Sequence, residues 1–148
     1  MQRRDVLKLG LGTVAAMAAG WSGRGWSEGL AATGGAPVTG GTLDAAAWTA
    51  ARRWTPTTFG RIAHVERGSG PAALFLHGFP LNGFQWRGAL ERLSAHRRCI
   101  APDMLGLGFT EVAEGQGVTP ADQVRMLAEL LDRLDVDSVD LVANDSGG

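Results

Sequence analysis

Cysteine is nearly absent from this sequence: Cys99 is the single one, so no disulfide can form within the chain. Cys99 lies in a short apolar stretch that is typical of a buried strand. We therefore expect it to pack as a small hydrophobic side chain rather than to react as a thiol.

An excess of charge of one sign is lacking as well. The formal net charge of the 148 residues is −1, and without the first 32 residues it becomes −3, because four of the 14 basic and two of the 15 acidic residues lie there. Proteins that bind nucleic acid carry a basic surface. The sequence shows none, and we predict no nucleic-acid partner.

No hydrophobic run is long enough to cross a bilayer, which takes about 20 apolar residues. The apolar stretch at residues 9–20 is short and rich in glycine and alanine, and it follows the pair Arg3-Arg4. The arginine pair, the apolar run and the small residues at 30–32 resemble a twin-arginine export signal. We predict a signal peptide over residues 1–32, and hence a periplasmic or extracellular protein without membrane contact after signal removal. The alternative is an amphipathic helix that starts the fold.

The composition is that of one globular domain, with 45% hydrophobic and 20% charged residues over the whole chain. Residues 33–56 begin with a stretch rich in glycine, threonine and alanine, and we predict a linker or a loosely held segment there. The domain itself is then expected over residues 57–148.

The expected domain alternates between strand and helix patterns. Apolar or alternating segments at 59–67, 72–76, 98–101 and 139–143 predict strands. Apolar residues at helical spacing predict one helix over 83–95 and a second that begins after Thr119 and buries Val124 and Leu127. This order predicts an α/β fold with a mostly parallel sheet, right-handed crossovers and helices on both faces.

Three short motifs each follow one of these predicted strands. They are Leu-His-Gly-Phe-Pro at 76–80, Ala-Pro-Asp-Met-Leu-Gly-Leu-Gly at 101–108 and Ala-Asn-Asp-Ser-Gly-Gly at 143–148. In this order they resemble the N-terminal half of the α/β-hydrolase fold. The resemblance covers residues 57–148 and implies strands one to five of an eight-stranded sheet, with the ligand crevice at the carboxyl ends of the strands.

The last motif corresponds to the nucleophile elbow, a tight turn that presents the attacking side chain between small residues. By this resemblance Asp145 is the nucleophile, and Ala143, Gly147 and Gly148 are the small residues around it. An aspartate side chain has a reference pKa of about 3.9, so it attacks at neutral pH without a base. Such a carboxylate suits displacement at an sp³ carbon, which leaves the substrate bound to the aspartate as an ester.

Hydrolysis of that ester requires a water activated by a histidine and an oxyanion hole. The resemblance implies that the backbone N–H groups of Phe79 and Ser146 form the hole, and that His77 and Gly78 support the oxyanion loop. Hydrolases of this fold with an aspartate nucleophile include haloalkane dehalogenases, fluoroacetate dehalogenases and epoxide hydrolases. The motif at 76–80 looks most like the last two groups. No cofactor or metal is implied, and the expected partner is a small organic substrate.

Two positions depart from these families. Ser146 follows the nucleophile, where haloalkane dehalogenases and epoxide hydrolases commonly have tryptophan and fluoroacetate dehalogenases have arginine. Phe79 stands where haloalkane dehalogenases often use asparagine to help bind halide, so a halide site built from these positions is not expected. Tyrosine is absent as well; epoxide hydrolases take it from a cap region outside this resemblance, so its absence decides nothing.

Other roles stay open for the residues of the last motif. Asp145 could be a turn residue, since the motif is rich in turn formers. Ser146 could be the nucleophile of an esterase, although this shift puts the bulkier Asn144 at a small position. A trypsin-like protease, suggested by Asp-Ser-Gly-Gly, is rejected because the patterns are not those of an all-β barrel.

The other members of a catalytic triad have no good candidate in this sequence. Asp103 is expected to organise its turn, His77 to be structural, and His64 and His96 to be solvated or locally bonded. The acid and the histidine are expected after Gly148, so this chain alone is predicted to be inactive. It is also predicted to be prone to aggregate, because the last strand would lack its next parallel partner and leave backbone groups unpaired. A non-catalytic truncated or degenerate hydrolase fragment is the alternative. The substrate, the cap and the oligomeric state stay open.

Overall fold

The computed structural model describes residues 43–148. The predicted signal peptide at 1–32 and the first part of the predicted linker lie outside the described residues. In the described part, no helix is both long enough and apolar enough to cross a membrane.

The described residues form α-helices, strands and short 3₁₀ helices in alternation. The α-helices are α1 (Ala45–Ala51), α2 (Arg87–Leu93) and α3 (Pro120–Arg133). The strands are β1 (Arg52–Thr57), β2 (Gly60–Arg67), β3 (Ala72–Leu76), β4 (Arg98–Pro102), β5 (Glu111–Val112) and β6 (Val139–Ala143). Two 3₁₀ helices lie at Gly83–Trp86 and Asp145–Gly147.

α1 and β1 lie in the region where the sequence predicted a linker or a loosely held segment. Asp44 caps α1 by accepting a hydrogen bond from the backbone N–H of Ala47 at 2.8 Å, and Trp48 is buried. β1 then pairs with β2 along its whole length. The prediction of a loose segment is therefore wrong for residues 45–56, because a cap and a buried tryptophan anchor a stretch that otherwise has the composition of a loop.

The sheet has the strand order β1-β2-β4-β3-β6, with the short β5 added to β2. β4, β3 and β6 run parallel, whereas β2 is antiparallel to β1, β4 and β5. β1 and β2 are joined by only two residues, Thr58 and Phe59, a connection that an antiparallel pair permits and a parallel pair does not. The predicted α/β class is confirmed; the sheet is mixed, and its parallel part carries the candidate site.

Helices cover both faces of the sheet, as the sequence predicted. Successive residues of β3 point to opposite faces, as in any strand. Leu74 and Leu76 pack in one buried cluster with Met126 and Leu130 of α3. Phe75 belongs to a second cluster, which contains the buried residues of α1 and α2. The two clusters hold β3 rigidly between them, and β3 ends at the candidate site.

α3 begins after Thr119, as predicted, with Thr119 in a capping box. Its buried face differs from the predicted one: Met126, Leu127 and Leu130 are buried, whereas the side chain of Val124 is 46% exposed. Each helical residue turns by about 100°, so Val124 lies about 200° from Met126 around the axis. The prediction for Val124 is therefore wrong, and that for Leu127 is confirmed.

The parallel pairing of β3 with β6 sets the position of the site. Leu76 is the register partner of Ala143, so both strands end at the same level. The backbone N–H of Asn144 donates to the carbonyl oxygen of Leu76 at 3.3 Å, just beyond the last pair. The residues after β3 and those after β6 therefore meet at the carboxyl edge of the sheet, where a doubly wound sheet binds its ligand.

Candidate active site

Asp145 occupies a strained turn at the end of β6. Its backbone φ is +54°, and among the described non-glycine residues only Asp135 shares a positive φ, at +53°. This left-handed region is uncommon for residues with a side chain, and aspartate is one of the few that tolerate it. The chain turns directly into the 3₁₀ helix Asp145–Gly147. Such a turn from strand to helix lifts the side chain of its first residue out of the sheet.

The Asp145 carboxylate points at the loop that follows β3. A Cβ atom placed on Gly78 would lie 2.7 Å from both the Cβ and the Oδ2 of Asp145. Real Cβ atoms do not approach other atoms so closely, so only glycine leaves room for the carboxylate here. The predicted nucleophile thus lies in the groove between the predicted oxyanion loop and the strand ends.

Gly147 is the small residue that the elbow requires. A Cβ atom there would meet the carbonyl oxygens of His77 at 2.7 Å and Leu76 at 2.8 Å, both of which are backbone atoms. A Cβ atom on Gly148 would find its nearest neighbour at 3.4 Å, an ordinary contact. The close backbone contacts at the elbow therefore require glycine at position 147, whereas a larger residue would fit at position 148. Ala143, the other predicted small residue, is the last residue of β6 and is exposed.

The two predicted oxyanion residues are hydrogen bonded to each other. The backbone N–H of Phe79 donates to the side-chain Oγ of Ser146 at 2.9 Å. Phe79 itself is 67% exposed, so its ring stands at the open side of the groove. The sequence motifs predicted that these residues meet, but they carried no signal for a bond through the serine side chain.

His77 is buried beneath the oxyanion loop, and both of its ring nitrogens are occupied by backbone groups. Nε2 accepts a hydrogen bond from the N–H of Met104 at 3.0 Å, and Nδ1 lies 3.0 Å from the carbonyl oxygen of Gly78. Nε2 accepts, so the tautomer that satisfies both contacts carries its hydrogen on Nδ1 and donates it to Gly78. No ring nitrogen is left to activate a water. This arrangement suits a residue that fixes the loop.

Asp103 is buried, and its two oxygens bind two different loops. Oδ1 accepts from the N–H of Gly83 and Oδ2 from that of Phe109, both at 2.8 Å. The carboxylate thus ties the turn after β4 to the 3₁₀ helix that precedes α2. Both oxygens are engaged with backbone donors, so Asp103 organises its turn, as the sequence predicted, and is not positioned to orient a histidine. Its bond to Gly83 had no signal in the sequence.

Of the other titratable groups, His64 takes the second of its two predicted states and is locally bonded instead of solvated. It is buried, its Nδ1 lies 3.4 Å from the carbonyl oxygen of Ile62, and its Nε2 has no partner among the described residues. Burial lowers the pKa of His64, although the Ile62 carbonyl and Glu66 act in the opposite direction. His64 is not solvated because it lies in the buried middle of β2. Cys99 is buried as predicted, and burial raises the pKa of its thiol.

A pocket of about 180 Å³ opens beside the end of α1, where Trp48, Arg52, Phe84 and Phe109 line it. Asp145 does not line this pocket. The pocket is therefore not the site of the chemistry, because a substrate has to reach the Asp145 carboxylate. Within residues 43–148, no group of three histidine, cysteine, aspartate or glutamate residues is placed to hold a metal ion.

Known proteins resemble this chain over the same region. The family model for the alpha/beta hydrolase fold matches residues 71–148, just over half of the chain. Haloalkane dehalogenase 2 of Mycobacterium tuberculosis is 36% identical over 96 residues, which cover 65% of this chain and 34% of the relative. An epoxide hydrolase of Caballeronia sordidicola is 43% identical over 93 residues, which cover 61% of this chain and 28% of the relative.

Solved structures of related hydrolases also resemble this chain. The crystal structure of the epoxide hydrolase VrEH1 from Vigna radiata superposes with a TM-score of 0.61 at 38% identity, covering 65% of this chain and 32% of that one. The chain thus spans about a third of the length of the relatives it matches.

Proposed function

The chain belongs to the α/β-hydrolase fold family, and on that premise we propose that the complete protein hydrolyses a small organic substrate through an ester formed on Asp145. The observation that carries the proposal is the elbow: Asp145 has a φ of +54° at the end of β6, and its carboxylate lies against Gly78. The similarity to haloalkane dehalogenases and epoxide hydrolases supports it.

In the first step, one carboxylate oxygen of Asp145 attacks an electrophilic sp³ carbon of the substrate. A carbon–oxygen bond forms to the aspartate, and the bond from that carbon to its leaving group breaks with its electron pair. The leaving group is a halide ion or the oxygen of an opened epoxide. An aspartate needs no base for this attack, which is why a carboxylate can occupy the elbow in place of a serine.

In the second step, water attacks the carbonyl carbon of the Asp145 ester, and the bond from that carbon to the substrate oxygen breaks. One proton of the water passes to that oxygen, the other is released as the carboxylate forms again, and the product leaves as an alcohol or diol. Negative charge develops on the carbonyl oxygen, and the N–H groups of Phe79 and Ser146 are the proposed donors to it. His77 cannot activate this water, because both of its ring nitrogens are bonded to backbone groups. We propose that the activating histidine and its acid belong to the complete protein beyond residue 148.

The surroundings of the carboxylate favour an uncharged, apolar substrate. Phe79 and Leu81 are 67% and 49% exposed, and both belong to the loop that faces Asp145. Exposed apolar side chains at a site of chemistry bind the apolar part of a ligand. Because Ser146 and Phe79 offer no side-chain N–H for a halide ion, we propose an epoxide before a haloalkane as the substrate class.

Oxygen-18 labelling tests the ester route. The complete protein, in excess over styrene oxide or 1-bromobutane, is allowed one turnover in water enriched in oxygen-18. We expect the product to carry ordinary oxygen and the peptide with Asp145 to gain one oxygen-18, because water attacks the ester and not the substrate. Label in the product with none in Asp145 indicates direct attack by water and contradicts the proposal. Attack by the Ser146 hydroxyl on these substrates would form an ether, which water does not readily hydrolyse, and would also leave Asp145 unlabelled.

We also propose that the protein is exported through its twin-arginine signal. The export machinery reads the paired guanidinium groups as an address, and lysine does not reproduce their planar hydrogen-bonding geometry. We expect Arg3→Lys with Arg4→Lys to leave the protein in the cytoplasm of a producing bacterium. Arg24→Lys makes the same exchange outside the pair and serves as the control. Cell fractionation with immunoblotting measures both, and equal export of the double variant and the parent contradicts the proposal.

A further inference from the structure

The Ser146 side chain occupies one of the two donors that the proposed mechanism directs at the oxyanion. The backbone N–H of Phe79 donates to Ser146 Oγ at 2.9 Å, a normal hydrogen bond. Ser146 thus contributes to both donors. Its own backbone N–H is one proposed oxyanion donor, and its hydroxyl accepts a hydrogen bond from the other, the N–H of Phe79. A single N–H hydrogen cannot bond both the hydroxyl and an oxyanion at full strength.

The oxyanion and the Ser146 hydroxyl compete for the same hydrogen-bond donor, the backbone N–H of Phe79. The oxyanion forms on the side chain of Asp145, which touches Gly78, the residue before Phe79. Within residues 43–148, no N–H or O–H group donates a hydrogen bond to the Asp145 carboxylate. The Phe79 N–H is therefore bonded to the hydroxyl and not to the carboxylate.

The two steps of the reaction respond in opposite ways. A carboxylate without hydrogen-bond donors is the stronger nucleophile, so the occupied Phe79 N–H favours formation of the ester. Ester hydrolysis builds negative charge on the carbonyl oxygen and needs that donor. A hydrogen bond to a charged oxygen is roughly twice as strong as one to a neutral oxygen, so the oxyanion can displace the hydroxyl. The displaced bond nevertheless raises the barrier of the second step.

We propose that Ser146 is a positioning residue that closes the oxyanion hole in the resting protein, and that its hydroxyl rotates away from Phe79 before the ester is hydrolysed. Ser146 is exposed, and rotation about one side-chain bond moves the hydroxyl. This inference rests on the proposed ester mechanism. It assigns the serine side chain a role in the balance between the two steps.

Two variants of the complete protein test the role. Ser146→Ala removes the hydroxyl and keeps the backbone N–H, and Ser146→Thr keeps the hydroxyl. Single turnovers of styrene oxide are quenched over time, and the ester on Asp145 is quantified by mass spectrometry. We expect Ser146→Ala to hydrolyse the ester about five-fold faster, the factor that corresponds to one neutral hydrogen bond. Ser146→Thr is expected to retain the slow second step.

The outcomes separate this inference from the proposed function. If ester forms in the parent and decays at the same rate or more slowly in Ser146→Ala, the role of the hydroxyl is overturned and the ester route stands. If substrate is turned over and no ester forms, both fail. The amide proton resonance of Phe79 gives a readout that needs no turnover: it is expected to move upfield in Ser146→Ala and not in Ser146→Thr. An unchanged resonance contradicts the hydrogen bond itself.

Discussion

Replacing Asp145 by asparagine is expected to lower kcat of the complete protein by about 10⁴-fold or more, the scale on which loss of a nucleophile acts. The amide that replaces the carboxylate has almost the same shape, and asparagine also tolerates the left-handed backbone at φ +54°. The elbow therefore keeps its conformation while the attacking group is lost. The measurement is the rate of product formation from the substrate identified in the labelling experiment.

Asp135→Asn is the matched control for this variant. Asp135 has nearly the same φ, +53°, and lies after α3 instead of at the elbow. It therefore makes the same chemical exchange on the same backbone conformation, and we expect kcat to stay within two-fold of the parent value, as is usual for surface changes of about 0.5 kcal/mol or less. Intact-mass measurement has to confirm that the asparagine at 145 has not hydrolysed to aspartate. Full activity of a verified Asp145→Asn protein contradicts the proposed nucleophile.

The strands that carry the site could be predicted from the sequence because their signals are local. β3 and β6 are apolar runs that end in glycine-rich turns, and both have the predicted bounds. α1 was missed because its signal is weak: one aspartate cap and one buried tryptophan lie in an alanine-rich stretch. The apolar residues of α3 predicted the wrong buried face at Val124. Which side of a helix is buried depends on where the sheet lies and not on hydrophobicity alone.

In the candidate site too, some features could be predicted from the sequence and others could not. The motifs predicted that Asp145 and Gly78 come together, because parallel strands end at the same edge of a sheet. The bond from Phe79 to the Ser146 hydroxyl could not be predicted, since it joins residues 67 positions apart through one side-chain rotamer. The same holds for the bonds of Asp103 to Gly83 and Phe109, which depend on the paths of two loops.

Buried hydrogen bonds of His77 and Asp103 hold the oxyanion loop in a fixed position. His77 fixes the loop to the turn after β4 through the N–H of Met104, and Asp103 fixes that same turn to Gly83 beyond the loop. The loop after β3 is therefore braced on both sides by buried side chains. Catalysis of the proposed kind depends on donors that are in place before charge develops. Buried hydrogen bonds to backbone groups provide that rigidity without taking part in the reaction.

Gly147→Ala is expected to damage the site through geometry alone. The added Cβ atom would lie 2.7 Å from the carbonyl oxygen of His77 and 2.8 Å from that of Leu76. Neither oxygen can move freely, because Leu76 is the last residue of β3 and His77 is held by its ring bonds. The elbow must therefore shift away from the oxyanion loop. We expect the free energy of unfolding to fall by about 1–3 kcal/mol and kcat to fall by about 100-fold.

Gly88→Ala is the control for Gly147→Ala, because it adds the same methyl group at a position away from the elbow. Gly88 lies in α2, where a Cβ atom would find only Arg92 Nη1, at 3.7 Å. Alanine is the better helix former, so the free energy of unfolding is expected to rise by up to about 1 kcal/mol, with kcat unchanged. Urea unfolding and steady-state kinetics of both variants measure the two quantities. A Gly147→Ala protein with parental kcat would show that the elbow and the oxyanion loop need no fixed separation, whatever the stability of that protein.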